Sequence, residues 1–156
     1  MGYPINTLTV DPGLGTGYAY WSGTNCPMTG VFKIKREKGD TDEFTIHFAL
    51  IKFREVLDRF KPRICYIEKM ETWAASRKSM MSTLRGNLFL VQSIVAGYGT
   101  LCDSAGIEYH FIKAREWKGQ LPDEVVDLRI KRAINQEYPQ HISSAVGMGL
   151  SIVGLL

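Results

Sequence analysis

Apolar and polar residues alternate from Ile5 to Asp11, a strand resumes after the glycines from Tyr18 to Trp21, and a further strand-like stretch runs from Met28 to Lys35. A period of two predicts three strands, the first two joined by a hairpin region containing Gly13, Gly15 and Gly17. From Asp42 to Phe60 the period changes. Phe44, Phe48, Ile51, Val56 and Phe60 approximate helical spacing, Thr41 or Asp42 offers an N-cap, and Pro62 lies just past the end. Ile64 to Glu68 is short and almost wholly apolar, the pattern of a strand buried on both faces.

Leu84 to Cys102 reads as a second long helix, interrupted in character by Gly97 and Gly99, and Ile107 to Ile112 as a fifth strand. Pro122 opens a third helix, with Asp123, Glu124 and Asp127 early and Arg129, Lys131 and Arg132 late, the order a helix dipole favours. It should stop before Pro139. His141 to Leu156 spans 16 residues, too few for a membrane span, and predicts a helix packed on the sheet. The element order is βββαβαβαα. Hairpins make the first three strands antiparallel, and helical crossovers make the later ones parallel to the first. The predicted fold is α/β, a mixed five-stranded sheet flanked by helices, in one domain over residues 1–156.

The composition, 45% hydrophobic and 22% charged, is that of a soluble globular chain. Neither end reads as a signal peptide, so a cytoplasmic protein is expected. Cys26, Cys65 and Cys102 are too widely spaced for a metal knuckle or a disulfide framework, and each is expected to be a buried free thiol. The net charge of +3 is mild, but between Lys69 and Arg85 four cations, Lys69, Arg77, Lys78 and Arg85, face Glu71 alone. Such a cluster suits a polyanion; the alternative is a solvated basic loop.

Candidate chemistry begins at the strand ends. A dinucleotide-binding fingerprint needs a helix after its glycines, whereas a strand follows Gly17, and the glycine run has neither the Lys nor the Ser/Thr of a phosphate-binding P-loop. What remains is an acid, Asp11, ahead of a tight turn. Glu68 ends a buried strand, where a carboxylate is costly unless it is ion-paired, for example with Lys69 or Arg63, or binds a cation. If the fourth strand lies beside the first, about 4.8 Å away, Asp11 and Glu68 are placed to share a divalent ion. His141 and Ser144, three residues apart, lie on one helical face, and Ser143, Ala145, Gly147 and Gly149 would let that helix approach the sheet. For His141 a capping or surface role is the alternative.

Asp11-Pro12-Gly13 with Gly17, Glu68 after an Ile-rich strand, and a terminal helix opening His141-Ile142-Ser143-Ser144-Ala145 resemble the RuvC-type Holliday junction resolvases of the ribonuclease H-like superfamily, especially compact bacteriophage members. The resemblance spans nearly the whole chain and rests on the ordered combination. It implies a structure-selective endodeoxyribonuclease resolving four-way DNA with two Mg²⁺ (or Mn²⁺) ions per active site. Those ions would be held by Asp11, Glu68, His141 and a fourth acid. At the fourth position stands Ser144, whose neutral hydroxyl lacks a carboxylate's charge and bridging geometry. The expectation is that Ser144 replaces an Asp by design, leaving a protein that binds junctions but cuts them poorly.

By the same resemblance, the segment after Glu68 leads toward the junction centre. Met70, Trp73, Met80 and Met81 would stack on or wedge between bases, while Lys69, Arg77, Lys78 and Arg85 would contact the backbone; the alternative is that Trp73 and the methionines cover the second helix. A second basic cluster, Lys113, Arg115 and Lys118, surrounds Trp117, and Lys118 matches a family lysine near the scissile phosphate. A homodimer in the cytoplasm of a bacterial host is implied, with the apolar face of Leu88 to Cys102 as candidate interface. Other readings stay open: a ribonuclease H-like nuclease acting on RNA–DNA hybrids, flaps or branched DNA, a phosphate-binding module of the actin and sugar-kinase type, or a non-cleaving junction binder.

Overall fold

A computed structural model describes residues 2–71 and 79–156, and in it Ile5–Asp11 forms β1 at the centre of a five-stranded sheet. β2 (Gly15–Ser22) and β3 (Met28–Lys33) pair antiparallel on one side. β4 (Ile64–Lys69) and β5 (Glu108–Lys113) pair parallel on the other, giving the order β3-β2-β1-β4-β5. The mixed sheet and its strand directions are those the periodicity and connection lengths predict. Gly15 and Gly17 belong to β2 itself, so the turn is shorter than the glycine run.

The helices are α1 (Asp42–Phe60), α2 (Ser79–Ser104), α3 (Ala114–Trp117), α4 (Asp123–Ile134) and α5 (Gln140–Ile152). The Phe44 backbone N–H donates to the Thr41 hydroxyl at the start of α1, and Lys61 closes the helix in the left-handed region ahead of Pro62. α3 is an addition to the predicted order; four residues are too few to show a helical period.

Leu8, Val10, Cys65 and Ile67 face α1 and α2, where Phe53 and Tyr98 stack with ring centres 4.0 Å apart. Trp21 and Ala19 face the other way, against α5 and α4, with Trp117, Val126, Ile130, Val146, Met148 and Leu150. Four expectations need correction. α1 buries Thr45, Ala49, Phe53, Val56 and Leu57, whereas Phe44, Phe48 and Ile51 are exposed. The helix carries apolar residues around much of its circumference, and its contact with the sheet and α2 selects the buried face. The apolar face of α2 is not free for a partner: Leu90, Ile94, Val95, Tyr98 and Cys102 are buried in this chain's own core. α2 runs unbroken through Gly97, which lies against Leu50, and Gly99, which lies against Tyr109 and Phe111. Cys65 and Cys102 are buried thiols, but Cys26, between β2 and β3, is exposed. Among the described residues no helix is long and apolar enough to cross a membrane.

Candidate active site

Parallel pairing sets Val10 opposite Ile67, so one residue further on Asp11 and Glu68 lie side by side near the ends of β1 and β4. Side chains alternate across a strand, which puts both carboxylates on the face that Thr9 and Tyr66 share. α5 covers that face. The Thr9 hydroxyl donates to the Ala145 carbonyl at 2.7 Å, tying the first turns of α5 to the middle of β1. Gly17 of β2 makes the approach possible, since a β-carbon there would overlap the His141 carbonyl. His141 Nδ1 consequently sits 3.3 Å from Asp11 Oδ2, and the Ser144 hydroxyl faces the same carboxylate.

Burial raises the pKa of both acids. Glu68 is pushed up to about 7, first by burial and then by the Asp11 charge, against the opposing pull of the Trp117 indole and Lys118. Trp117 Nε1 donates to Glu68 Oε2 at 2.7 Å. Asp11 is raised by burial, opposed by His141, Lys118 and Ser144. Desolvation therefore outweighs every local donor at both positions, and a bound cation would reverse the balance. Two hard carboxylates with an imidazole at the rim are a donor set that fits Mg²⁺ or Mn²⁺. Among the described residues, however, no three His, Cys, Asp or Glu side chains converge on a common chelating point.

The neighbouring cations differ in how free they are. Lys118 caps α3 at its C-terminus, and its Nζ donates to Asp123 Oδ1 at 2.7 Å. Arg115 Nε lies 2.9 Å from Glu71 Oε1, a charge contact without aligned hydrogen-bond geometry, so this cation already has a partner. Lys69, Met70 and Arg115 line a cavity of about 360 Å³ that includes Glu68, while Lys69, Met70 and Phe111 border a groove of about 200 Å³. Lys113 ends β5 and precedes α3. Trp73, Arg77 and Lys78 lie outside the described residues, as do the side chains of Met80, Met81 and Arg85.

No protein-family model and no curated protein sequence matches the chain. Solved structures do. Thermus thermophilus RuvC superposes with a TM-score of 0.64 at 17% identity, covering 93% of this chain and 91% of that one. The T. thermophilus RuvC in complex with Holliday junction substrate superposes with a TM-score of 0.69 at 17% identity, covering 93% and 90%. The yeast mitochondrial Holliday junction resolvase Ydc2 gives 0.54 at 10% identity, covering 97% and 83%. The chain has the RuvC fold.

Within this RuvC fold, two residues around the carboxylate pair escaped the sequence reading as partners. Trp117 registers in the sequence only as an aromatic among cations, yet its indole holds Glu68 across 49 residues of chain. Asp123 registers as a helix-opening acid, yet it anchors Lys118 and its charge reaches Glu68. The alternative of a structural ion pair between Glu68 and Lys69 or Arg63 is not realised among the described residues.

Proposed function

We propose that this chain is a metal-dependent, structure-selective endodeoxyribonuclease that acts on four-way DNA junctions. In this reading it is a compact, bacteriophage-type resolvase, one domain over residues 1–156, working as a homodimer in a bacterial cytoplasm. One observation carries the proposal. Two desolvated carboxylates, Asp11 and Glu68, end adjacent parallel strands beneath the first turns of α5, in a fold shared with a RuvC solved on Holliday junction substrate.

Asp11 and Glu68, with His141 at the rim, would hold Mg²⁺ or Mn²⁺, which when bound supplies an activated water and charge stabilisation at the scissile phosphate. The chain's own groups do the positioning. Trp117 fixes one Glu68 oxygen, the Thr9 hydroxyl and Gly17 fix the height of α5 above Asp11, and Lys118 offers a cation to the phosphate. Lys69, Met70, Lys113 and Arg115 border the same end of the sheet, and Trp73, Arg77, Lys78 and Arg85 continue from it in the sequence. Ser144 faces Asp11 with a hydroxyl, so cleavage is impaired while junction binding remains. A four-way junction has two strands to cut and two-fold symmetry, which a C2 pair of sites matches.

Labelled four-way, three-way, flap and RNA–DNA hybrid substrates test this. The chain should bind four-way DNA and cleave it at least about 100-fold more slowly than the Ser144→Asp variant in Mg²⁺ or Mn²⁺. Equal cleavage by both removes the role of Ser144; preference for a hybrid or flap changes the substrate class. The neutral Ser144 also favours a second reading, a junction binder that does not cut. Metal-independent junction binding together with an inert Ser144→Asp variant would select it.

A further inference from the structure

A site for two divalent ions must balance four positive charges, and among the described residues only the Asp11 and Glu68 carboxylates stand against them in direct proximity, with a hydroxyl at Ser144. One divalent ion balances the pair. A second would meet a hydroxyl and a half-exposed imidazole, donors without charge to hold a hard cation. What the structure does place beside the pair is an ammonium. Lys118 Nζ lies 5.6 Å from the centre of the Trp117 ring, and the same indole donates to Glu68 Oε2 at 2.7 Å. The Lys118 side chain is only 24% exposed, and its charge acts on Asp11 and Glu68 alike. Asp123 is spent on Lys118: it is half exposed, and its Oδ1 accepts from Nζ at 2.7 Å.

We propose that this site takes a single divalent ion per chain, with the Lys118 ammonium serving as its second cation. The assignment rests on the nuclease reading and departs from its two-ion expectation. An ammonium needs no carboxylate cage, carries its charge on a flexible four-carbon stem, and brings three N–H donors to a phosphate. Asp123 keeps that stem folded over Trp117, close to the pair rather than extended into solvent.

Titration of the intact chain with Mn²⁺, read by the paramagnetic resonance of the free ion, gives the count. One Mn²⁺ per chain is expected, two for Ser144→Asp, and one for Lys118→Met. At alkaline pH, with both carboxylates charged, the ion should bind Lys118→Met at least about threefold more tightly, because a like charge in a partly buried site has been removed. Two ions on the unaltered chain, one on Ser144→Asp, or an unchanged affinity in Lys118→Met overturns the assignment. A parallel gel shift with four-way DNA in Ca²⁺ separates the causes. If junction binding persists, only the Lys118 assignment falls; if neither ion nor junction binds, the nuclease reading falls with it.

Discussion

The two faces of the central sheet are built on opposite principles. Against α1 and α2, contact is made by volume: Leu8, Val10, Cys65, Ile67, Phe53, Leu90, Ile94 and Tyr98 fill the space, and the Tyr98 hydroxyl is satisfied by Thr16 at 2.8 Å. Against α5, contact is made by closeness. Thr9 bonds to a helix carbonyl, Ala145 is fully buried, and Gly17 has no side chain because the His141 backbone occupies that space. The first face tolerates changes in helix position that preserve packing. The second does not, since the distance from α5 to β1 is also the distance from His141 and Ser144 to Asp11.

This contrast predicts separable losses. Phe53→Ala should cost about 3–5 kcal/mol of stability, the range for emptying a buried aromatic, as read by denaturant melts. Below its lowered melting temperature, the variant should keep its four-way DNA affinity within a few-fold. Gly17→Val should cost less, about 1–3 kcal/mol of overpacking, but it should lift α5 from Asp11. In a Ser144→Asp background it should lower junction cleavage on the order of 100-fold, the scale of an ångström's misplacement. Equal damage to cleavage from both substitutions at matched stability would show that the two faces are not distinct in this way.

The same contrast explains what the sequence disclosed. Short connections and an apolar run place Asp11 and Glu68 at strand ends, while the adjacency of those strands stands in the sequence only as a condition, which the parallel pairing of β1 with β4 meets. The small residues of α5 likewise announce a close approach to the sheet. The buried face of α1 is not readable, because Phe44, Phe48 and Ile51 are as apolar as the residues actually buried, and position in the fold decides between them. α3 is shorter than a helical period can reveal. The Trp117 bond to Glu68 depends on how α3 is set against β4, a distance no local pattern encodes.

A third measurement concerns charge at the α5 face without metal. The pKa of Glu68 rises from 4.5 to about 7 on folding, so the folded state holds this proton more tightly than the unfolded chain. The contribution is complete below the unfolded pKa and disappears as the pH climbs through about 7. Chemical denaturation in EDTA should therefore show roughly 3 kcal/mol of stability lost between acid and neutral pH, at 1.36 kcal/mol per unit. Glu68→Gln should flatten most of that slope, and the raised pKa of Asp11 should leave a smaller residue of the same sign. Excess Mn²⁺ should oppose the loss in the parent, because an ion that binds only the folded chain stabilises it. A slope unchanged in Glu68→Gln would place the titrating group elsewhere.

The smallest effect isolates the donor rather than the acid. Trp117→Phe keeps an aromatic ring against Gly147 and Val126 but removes the N–H that Glu68 accepts. A hydrogen bond to a charged group contributes about 1.5 kcal/mol, so its loss should raise the Glu68 pKa by about one unit. That shift moves against deprotonation, so at neutral pH a larger fraction of Glu68 is protonated and Mn²⁺ binds more weakly. A ¹³C-carboxyl titration of Glu68 should register the upward midpoint. Circular dichroism should register the accompanying packing loss, about 1 kcal/mol for a smaller ring. If the Glu68 midpoint stays in place while stability falls, Trp117 acts by packing alone, and the polarity of the α5 face owes nothing to it. If the midpoint rises and cleavage by the Ser144→Asp protein shifts to higher pH in step, one indole sets the pH at which the carboxylate pair is fully charged.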